Sequence, residues 1–454
     1  MKTLLPCAAL LALLAPLASA QPAPAPPVTL TAAQDHRRLL DLLHITATRP
    51  GPKPATANYD ESKAGVPTLP NPLLLNNGKP VTSAKMWWKE RRPQIVELFD
   101  REIYGRVPPN APRIRWQVVS TTPGEDGGIA TVTKKLLGHA DNSAYPAISV
   151  DMEVSLTLPA NAAAPVPVIV EITFENYPQP PGRAAAPTPP EPLPTWKQQV
   201  LAKGWGYALF YPTTLQADNG AGLTQGIIGL ANHGQPRKLD DWGALRAWAW
   251  GVSRILDYLQ TDKAVDAKHV GVEGHSRFGK TALVAMAYEP RLAVAYISSS
   301  GAGGSALARY NYGEQLENIS GSGEYHWMAG NYLKYAGTLT PNDMPVDSHE
   351  LIALCAPRPV FIGGGVTGAG DGWAATPSSF FAEAAASPVY QLLGAKGLLA
   401  NGVAATSLPP VGTALISGDL GFRQHDGGHT PLPNWPTFIE FASRYLPTPP
   451  QRTK

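Results

Sequence analysis

The sequence predicts an α/β fold, a three-layer α/β/α sandwich around a mainly parallel central sheet. Three observations carry that expectation. Residues 148–158 alternate, with Val150, Met152, Val154 and Leu156 sharing one side, as in a half-buried strand. Residues 166–174 are almost continuously apolar, the pattern of a strand covered on both faces. From there on, strand-like and helix-like segments alternate, which calls for crossover connections and parallel pairing.

Taken in chain order, Lys2, an apolar run from Leu4 to Leu17 and Ala18-Ser19-Ala20 read as a secretory signal peptide over residues 1–20. No stretch reaches the ~18 consecutive apolar residues of a spanning helix. An exported protein, secreted or periplasmic and without a membrane span, is therefore expected. Residues 21–57 read as an N-terminal Pro/Ala tether and lead-in, and 58–450 as a single domain. Residues 83–104 open on a serine cap and have helical periodicity that Pro93 should end or kink. Strands at 114–120, 129–133 and 148–158 follow. Next come a strand at 166–174, a helix at 196–203, a strand at 207–211 and a long amphipathic helix at 240–262. A strand at 269–272, a helix at 279–288 and strands at 292–298 and 360–362 continue the pattern. A helix at 378–393, a strand at 414–417 and a helix at 435–445 complete it. The Pro-rich stretch 178–194 is a long excursion of the kind that forms a functional rim or a disordered insertion.

Composition excludes several classes. Charged residues make up 16% of the 454 and hydrophobic ones 44%, which is globular. Lys plus Arg number 37 against 35 Asp plus Glu, a formal net charge of +2, and no basic run is present to neutralise a phosphate backbone. Nucleic acid is therefore not an expected partner. Loss of residues 1–20 removes one lysine and no acid, leaving +1, and removes Cys7, so that Cys355 is the only remaining cysteine. An intramolecular disulfide and a multi-cysteine zinc site are thereby excluded.

The chemistry concentrates in His269-Val270-Gly271-Val272-Glu273-Gly274-His275-Ser276-Arg277-Phe278-Gly279-Lys280-Thr281. Gly274, Gly279, Lys280 and Thr281 fit the phosphate-cradling G-x-x-x-x-G-K-[ST] loop. The same residues read as a nucleophile elbow, a strand-to-helix turn that projects Ser276, except that the second glycine stands at 279 where G-x-S-x-G would have it at 278. No later strand ends in an acid to hold magnesium, and an exported protein meets little ATP, so the elbow is the reading to develop. A serine that merely caps the next helix is the structural alternative. Elbow-type enzymes place acid and histidine after the serine in that order. His429, in Gln424-His425-Asp426-Gly427-Gly428-His429, sits in a polar loop where the base belongs. Asp371, in Gly370-Asp371-Gly372-Trp373, is the one acid in the loop after 360–362, and a turn aspartate is its plain reading. His425 and His429 around Asp426 also suggest a metal pair, but no third ligand is evident.

Together these segments resemble the bacterial glucuronoyl esterases of carbohydrate esterase family 15. The resemblance runs from Asn58-Tyr59-Asp60-Glu61 and Asn77-Gly78-Lys79-Pro80-Val81 through Trp242-Gly243-Ala244 and Ala247-Trp248-Ala249-Trp250-Gly251. It is sharpest at Gly274-His275-Ser276-Arg277-Phe278-Gly279-Lys280, the family's G-x-S-R-x-G-K signature, and continues through Ser300-Gly301-Ala302-Gly303-Gly304, Asp347 to Pro359, Asp371-Gly372-Trp373 and Gly427-Gly428-His429. It implies an α/β-hydrolase fold and a serine esterase that cleaves the ester between 4-O-methyl-glucuronic acid of glucuronoxylan and a lignin alcohol. Under that resemblance Ser276 is the nucleophile, His429 the base and Asp371 the acid, and Arg277 stabilises the oxyanion. Lys280, Glu314, Glu324 and Trp373 bind the sugar. No cofactor or metal is required, the partner is the glucuronoxylan or lignin–carbohydrate ester itself, and the chain acts as a monomer.

Three departures from the family stand out. Fungal members carry the acid where this chain has Ser299, and a hydroxyl cannot orient an imidazole as a carboxylate does. The run 363–370, GGGVTGAG, is long and glycine-rich, which brings Asp426 in as the alternative acid, and Ala375-Thr376-Pro377 replaces an Asp-Pro. The competing functions are an acetylxylan or other carbohydrate esterase of the same fold, and a non-catalytic carbohydrate-binding relative.

Overall fold

The computed structural model describes residues 25–175, 193–399 and 407–450. Its strands are β1 (Ile114–Asp126), β2 (Ile129–Ala140), β3 (Asp151–Pro159), β4 (Val166–Ile172), β5 (Gly206–Tyr211), β6 (Val265–His275), β7 (Leu292–Ser298), β8 (Val360–Gly365) and β9 (Leu420–His425). They form one sheet in the order β1-β2-β3-β5-β4-β6-β7-β8-β9. β1, β2, β3 and β5 pair antiparallel, and every pair from β5 through β4 to β9 is parallel.

Alternation along the central strands makes two cores. Val168, Val170 and Ile172 of β4 face a large core shared with helices Ala244–Leu259, Arg277–Tyr288, Ser348–Cys355 and Thr376–Leu392. Ile169 points to the other face, where it joins Tyr207, Leu209 and Tyr296 beneath Trp196 and Trp435 of helices Trp196–Ala202 and Trp435–Ala442. This is the α/β-hydrolase arrangement, with helices on both faces of a mainly parallel sheet.

Several elements depart from the sequence expectation. β1 and β2 run well past the predicted 114–120 and 129–133, because Gly127 and Gly128, at φ 57° and 78°, close a two-residue hairpin turn whose ladder continues through exposed polar residues. Apolar alternation cannot register such a solvated stretch. Pro93 does not end the helical run, which continues from Ala84–Met86 through Trp87–Arg91 into Arg92–Glu102. It stands just past a π-turn over Trp87–Arg91, in which the Arg92 N–H bonds the Trp87 carbonyl, and the α-helix Arg92–Glu102 takes over there. The predicted strand at 414–417 does not form. Leu415 makes a single bridge to Phe422, and the last strand is β9.

The lead-in is also more than a tether from residue 25 on. Thr31 and Gln34 form a capping box that starts helix Ala32–Leu42, whose Leu39 and Leu40 are buried in the main core. The Tyr325 hydroxyl donates to Asp35 at 3.0 Å, and the Tyr145 hydroxyl to the Ala25 carbonyl at 2.5 Å. The signal-peptide reading of 1–20 and most of the 178–194 excursion lie outside the described residues. Among the described residues no helix is long and apolar enough to cross a membrane.

Candidate active site

β6 ends at His275 and helix Arg277–Tyr288 starts one residue later, so Ser276 alone turns the chain, at φ 56° and ψ −127°. A non-glycine residue there is strained, and the Ser276 N–H donating to the Ser298 carbonyl at 2.8 Å ties the turn to β7. A Cβ on Gly274 would lie 2.1 Å from the Phe278 carbonyl oxygen, and one on Gly279 would lie 2.6 Å from the Ser298 carbonyl oxygen. The second glycine thus serves the contact between helix and β7, which gives position 279 a physical reason.

β8 and β9 deliver the other two residues. The glycines 363–365 belong to β8 rather than to a loop, and the loop proper is only 366–370. A Cβ on Gly365 would meet the Gly428 carbonyl oxygen at 2.4 Å and the Asp371 Cβ at 2.7 Å, so glycine here lets the Asp371 and His429 loops touch. Asp371 is fully buried, and its Oδ1 lies 2.5 Å from His429 Nδ1. Its Oδ2 accepts from the Gly365 N–H and from the Ser299 hydroxyl, each at 2.6 Å. Burial pushes this carboxyl up, but the hydrogen bonds from His429, Ser299 and Gly365 prevail and hold it below its ordinary value. Asp426 is exposed, and Asp371 is the acid bonded to His429. Ser299, where fungal relatives are expected to have a carboxylate, donates its hydroxyl to the Asp371 carboxylate.

His275, unremarked in the sequence, packs its ring 4.3 Å from that of His429 and places Nδ1 3.0 Å from the Ser298 hydroxyl. Burial, with the neighbouring His429 charge second, pushes His275 down to about 3, so this ring is a neutral surface for His429. His425 Nδ1 accepts from the Gly427 N–H at 3.1 Å. Among the described residues no cluster of three or more His, Cys, Asp or Glu is arranged for a metal.

The cations of the signature lie one helical turn apart. Lys280 is buried and its ammonium donates to the carbonyls of Ser300 and Ala302, each at 2.7 Å, and to Glu314 Oε2 at 2.9 Å. Three protons meet three acceptors, an arrangement unlike a lysine held out to phosphates. The other Glu314 oxygen accepts from Trp373 Nε1 at 3.2 Å, and Trp373 stands two residues after Asp371 in the short 3₁₀ turn Gly372–Ala374. Glu324 shares the field of Glu314, Lys280 and Arg277, and burial, with Glu314 second, pushes its carboxyl up to about 7. Arg277 is one-third exposed and its Nη1 donates to Asp218 Oδ2 at 2.7 Å. Asp218 also accepts from His326 Nε2 and Trp327 Nε1, at 2.7 and 2.6 Å. None of these three was legible beforehand: Asp218-Asn219-Gly220 reads as a turn, and His326-Trp327 sits in no motif.

A family model described as "Glucuronyl esterase, fungi" matches residues 237–394. The chain is similar to carbohydrate esterase MZ0003 from an unknown prokaryotic organism, at 31% identity over 90% of this chain and 98% of that one. It is 30% identical to a 4-O-methyl-glucuronoyl methylesterase of Schizophyllum commune, over 75% of this chain and 76% of that one. Among solved structures, a glucuronoyl esterase of the same carbohydrate esterase family 15 from Teredinibacter turnerae superposes with a TM-score of 0.82. It shares 44% identity, over 91% of this chain and 99% of that one. A glucuronoyl esterase from Solibacter usitatus gives 0.73 and 33%, over 85% and 99%. The elbow, the loops that follow β8 and β9, and these likenesses along nearly the whole chain lead to one conclusion: the protein is a carboxylic ester hydrolase and belongs to the glucuronoyl esterases of carbohydrate esterase family 15.

Proposed function

We propose that the protein hydrolyses the ester between 4-O-methyl-glucuronic acid of glucuronoxylan and lignin alcohols through a Ser276–His429–Asp371 acyl-enzyme mechanism. The observation that carries this reading is the buried Asp371 carboxylate bonded to His429 Nδ1, beside the strained Ser276 turn. Ser276 Oγ attacks the uronoyl carbonyl carbon while His429 Nε2 takes its proton. Asp371, held as the anion, fixes the proton on Nδ1 and stabilises the imidazolium. Negative charge on the former carbonyl oxygen meets the N–H of Arg277, in the first helical turn where backbone donors lack helical acceptors, and the Arg277 guanidinium. Collapse expels the alcohol, which takes the proton from His429. Water then attacks the acyl-enzyme with His429 as base and releases the uronic acid.

Glu314, Glu324 and Trp373 meet the sugar hydroxyls and ring, and Lys280 joins them by exchanging one of its three acceptors for a hydroxyl. No cofactor takes part, and residues 1–20 direct the protein out of the cytoplasm to its polymeric substrate, on which it acts as a monomer. The test is hydrolysis of the benzyl ester of methyl-glucuronic acid beside an acetylated xylo-sugar, by wild type and Ser276→Ala. Turnover of the uronate ester that disappears with Ser276 is the expected result. Preference for the acetyl sugar would make the protein an acetylxylan esterase of the same mechanism, and Ser276-independent turnover would end the serine mechanism.

A further inference from the structure

The two cations of the elbow helix, Arg277 and Lys280, stand at i and i+3, where like charges repel. Each has its own buried carboxylate: Asp218 for Arg277 and Glu314 for Lys280. One indole serves both. The Trp327 ring lies 5.1 Å from the Arg277 guanidinium carbon and 5.6 Å from the Lys280 nitrogen, while its N–H donates to Asp218.

The two cations differ in how much the fold restrains them. Lys280 is packed away, at 5% side-chain exposure, whereas the Arg277 side chain is 33% exposed, and a long exposed side chain samples many rotamers. Asp218 is 3% exposed and receives three short hydrogen bonds from three different side chains. His326 and Trp327, both in the 3₁₀ turn Tyr325–Trp327, converge on Oδ1, which leaves Oδ2 aimed at Arg277. His326 is buried, and burial, opposed by its bond to Asp218, pushes it below its ordinary value, so it is a neutral ring donating through Nε2. Two neutral donors thus hold Oδ1 of the carboxylate, and Oδ2 meets the Arg277 guanidinium.

We infer that Asp218, braced by His326 and Trp327, is a positioning residue that aims the Arg277 guanidinium at the developing oxyanion. The inference rests on the role of Arg277 proposed above. A guanidinium locked before reaction costs no reorganisation when charge appears, which is where transition-state stabilisation is gained.

Asp218→Asn tests it, because the amide is isosteric and changes the contact with Arg277 while it can keep those with His326 and Trp327. Its oxygen still accepts from His326 and Trp327, and its NH₂ replaces the oxygen that faced Arg277, setting donor against donor. The expected result is a fall in kcat of about tenfold, a fraction of the 10²–10³ that a lost oxyanion donor costs, with KM within about twofold and an unchanged melting temperature. In an Arg277→Ala background the same substitution should cost less than about twofold, since Asp218 acts through a side chain no longer present. Trp327→Phe, which keeps the ring and removes one brace, should lower kcat by about threefold. Full additivity of Asp218→Asn with Arg277→Ala, or wild-type kcat in Asp218→Asn, would overturn the inference while leaving the serine mechanism standing. Wild-type kcat in Arg277→Ala would overturn both the oxyanion role and the inference.

Discussion

The two walls that flank Ser276 are built on different plans. On the β8–β9 side, a chain of hydrogen bonds runs from the Gly365 N–H and the Ser299 hydroxyl through buried Asp371 to one imidazole, His429, whose side chain is 45% exposed. On the helix side, Arg277 and Lys280 are set against Asp218 and Glu314 in short, largely buried ion pairs. The first wall collects donors on one carboxylate and leaves one imidazole half-exposed. The second balances charge almost completely. The difference shows in the carboxyls: hydrogen bonds hold Asp371 low despite burial, whereas Glu324, half-buried in the field of Glu314, is pushed up to about 7. One acid is kept ionised beside a histidine, and another titrates near neutrality.

Substitutions separate the walls by size of effect. Ser276→Ala, which removes the group both walls serve, should lower kcat by about 10⁵-fold or more, as loss of a nucleophile does in serine hydrolases; steady-state kinetics on the uronate benzyl ester measures it. Asp371→Asn should lower kcat by about 10³–10⁴-fold with KM nearly unchanged, because an amide cannot hold the productive tautomer. A loss under tenfold would mean that the Asp371–His429 bond is incidental. Glu314→Gln acts on the balanced wall, leaving the Lys280 ammonium buried without its counter-charge, and should cost about 3–5 kcal/mol of stability in urea unfolding. Glu324→Gln should give the smallest change. In the wild type, Glu324 is neutral below about pH 7 and anionic above it. A sugar hydroxyl donates more strongly to the anion, so KM for the neutral ester should fall by about threefold from pH 6 to pH 8. The variant should show no such change, and an equal pH dependence in it would remove Glu324 from the sugar site.

The sequence carried these regions unequally. Strand β7 is where apolar patterning puts it, and the parallel order follows from alternating segments. Ser276, Asp371 and His429 lie in short glycine-flanked motifs after β6, β8 and β9, the chain order in which elbow-type enzymes place nucleophile, acid and base. The helix side was half legible. Arg277 and Lys280 belong to a signature, but Asp218 and Trp327 reach them from loops distant in sequence, and no local pattern marks a residue whose role is to meet another across the fold. The hairpin ends of β1 and β2 and the π-turn ahead of Pro93 escaped for a local reason. Turn geometry and backbone pairing decide them, and hydrophobic period does not report either.

The central claim is that Ser276 carries the acyl group between two half-reactions. Mixing enzyme with excess uronate benzyl ester, quenching in acid within the first turnover and weighing the peptides tests it most directly. The expected result is a mass gain of one uronoyl group on the peptide containing Ser276, absent in Ser276→Ala and trapped in slower-turnover His429→Ala only at low yield. Alcohol release by Ser276→Ala at the wild-type rate, or the adduct on a different peptide, would contradict it.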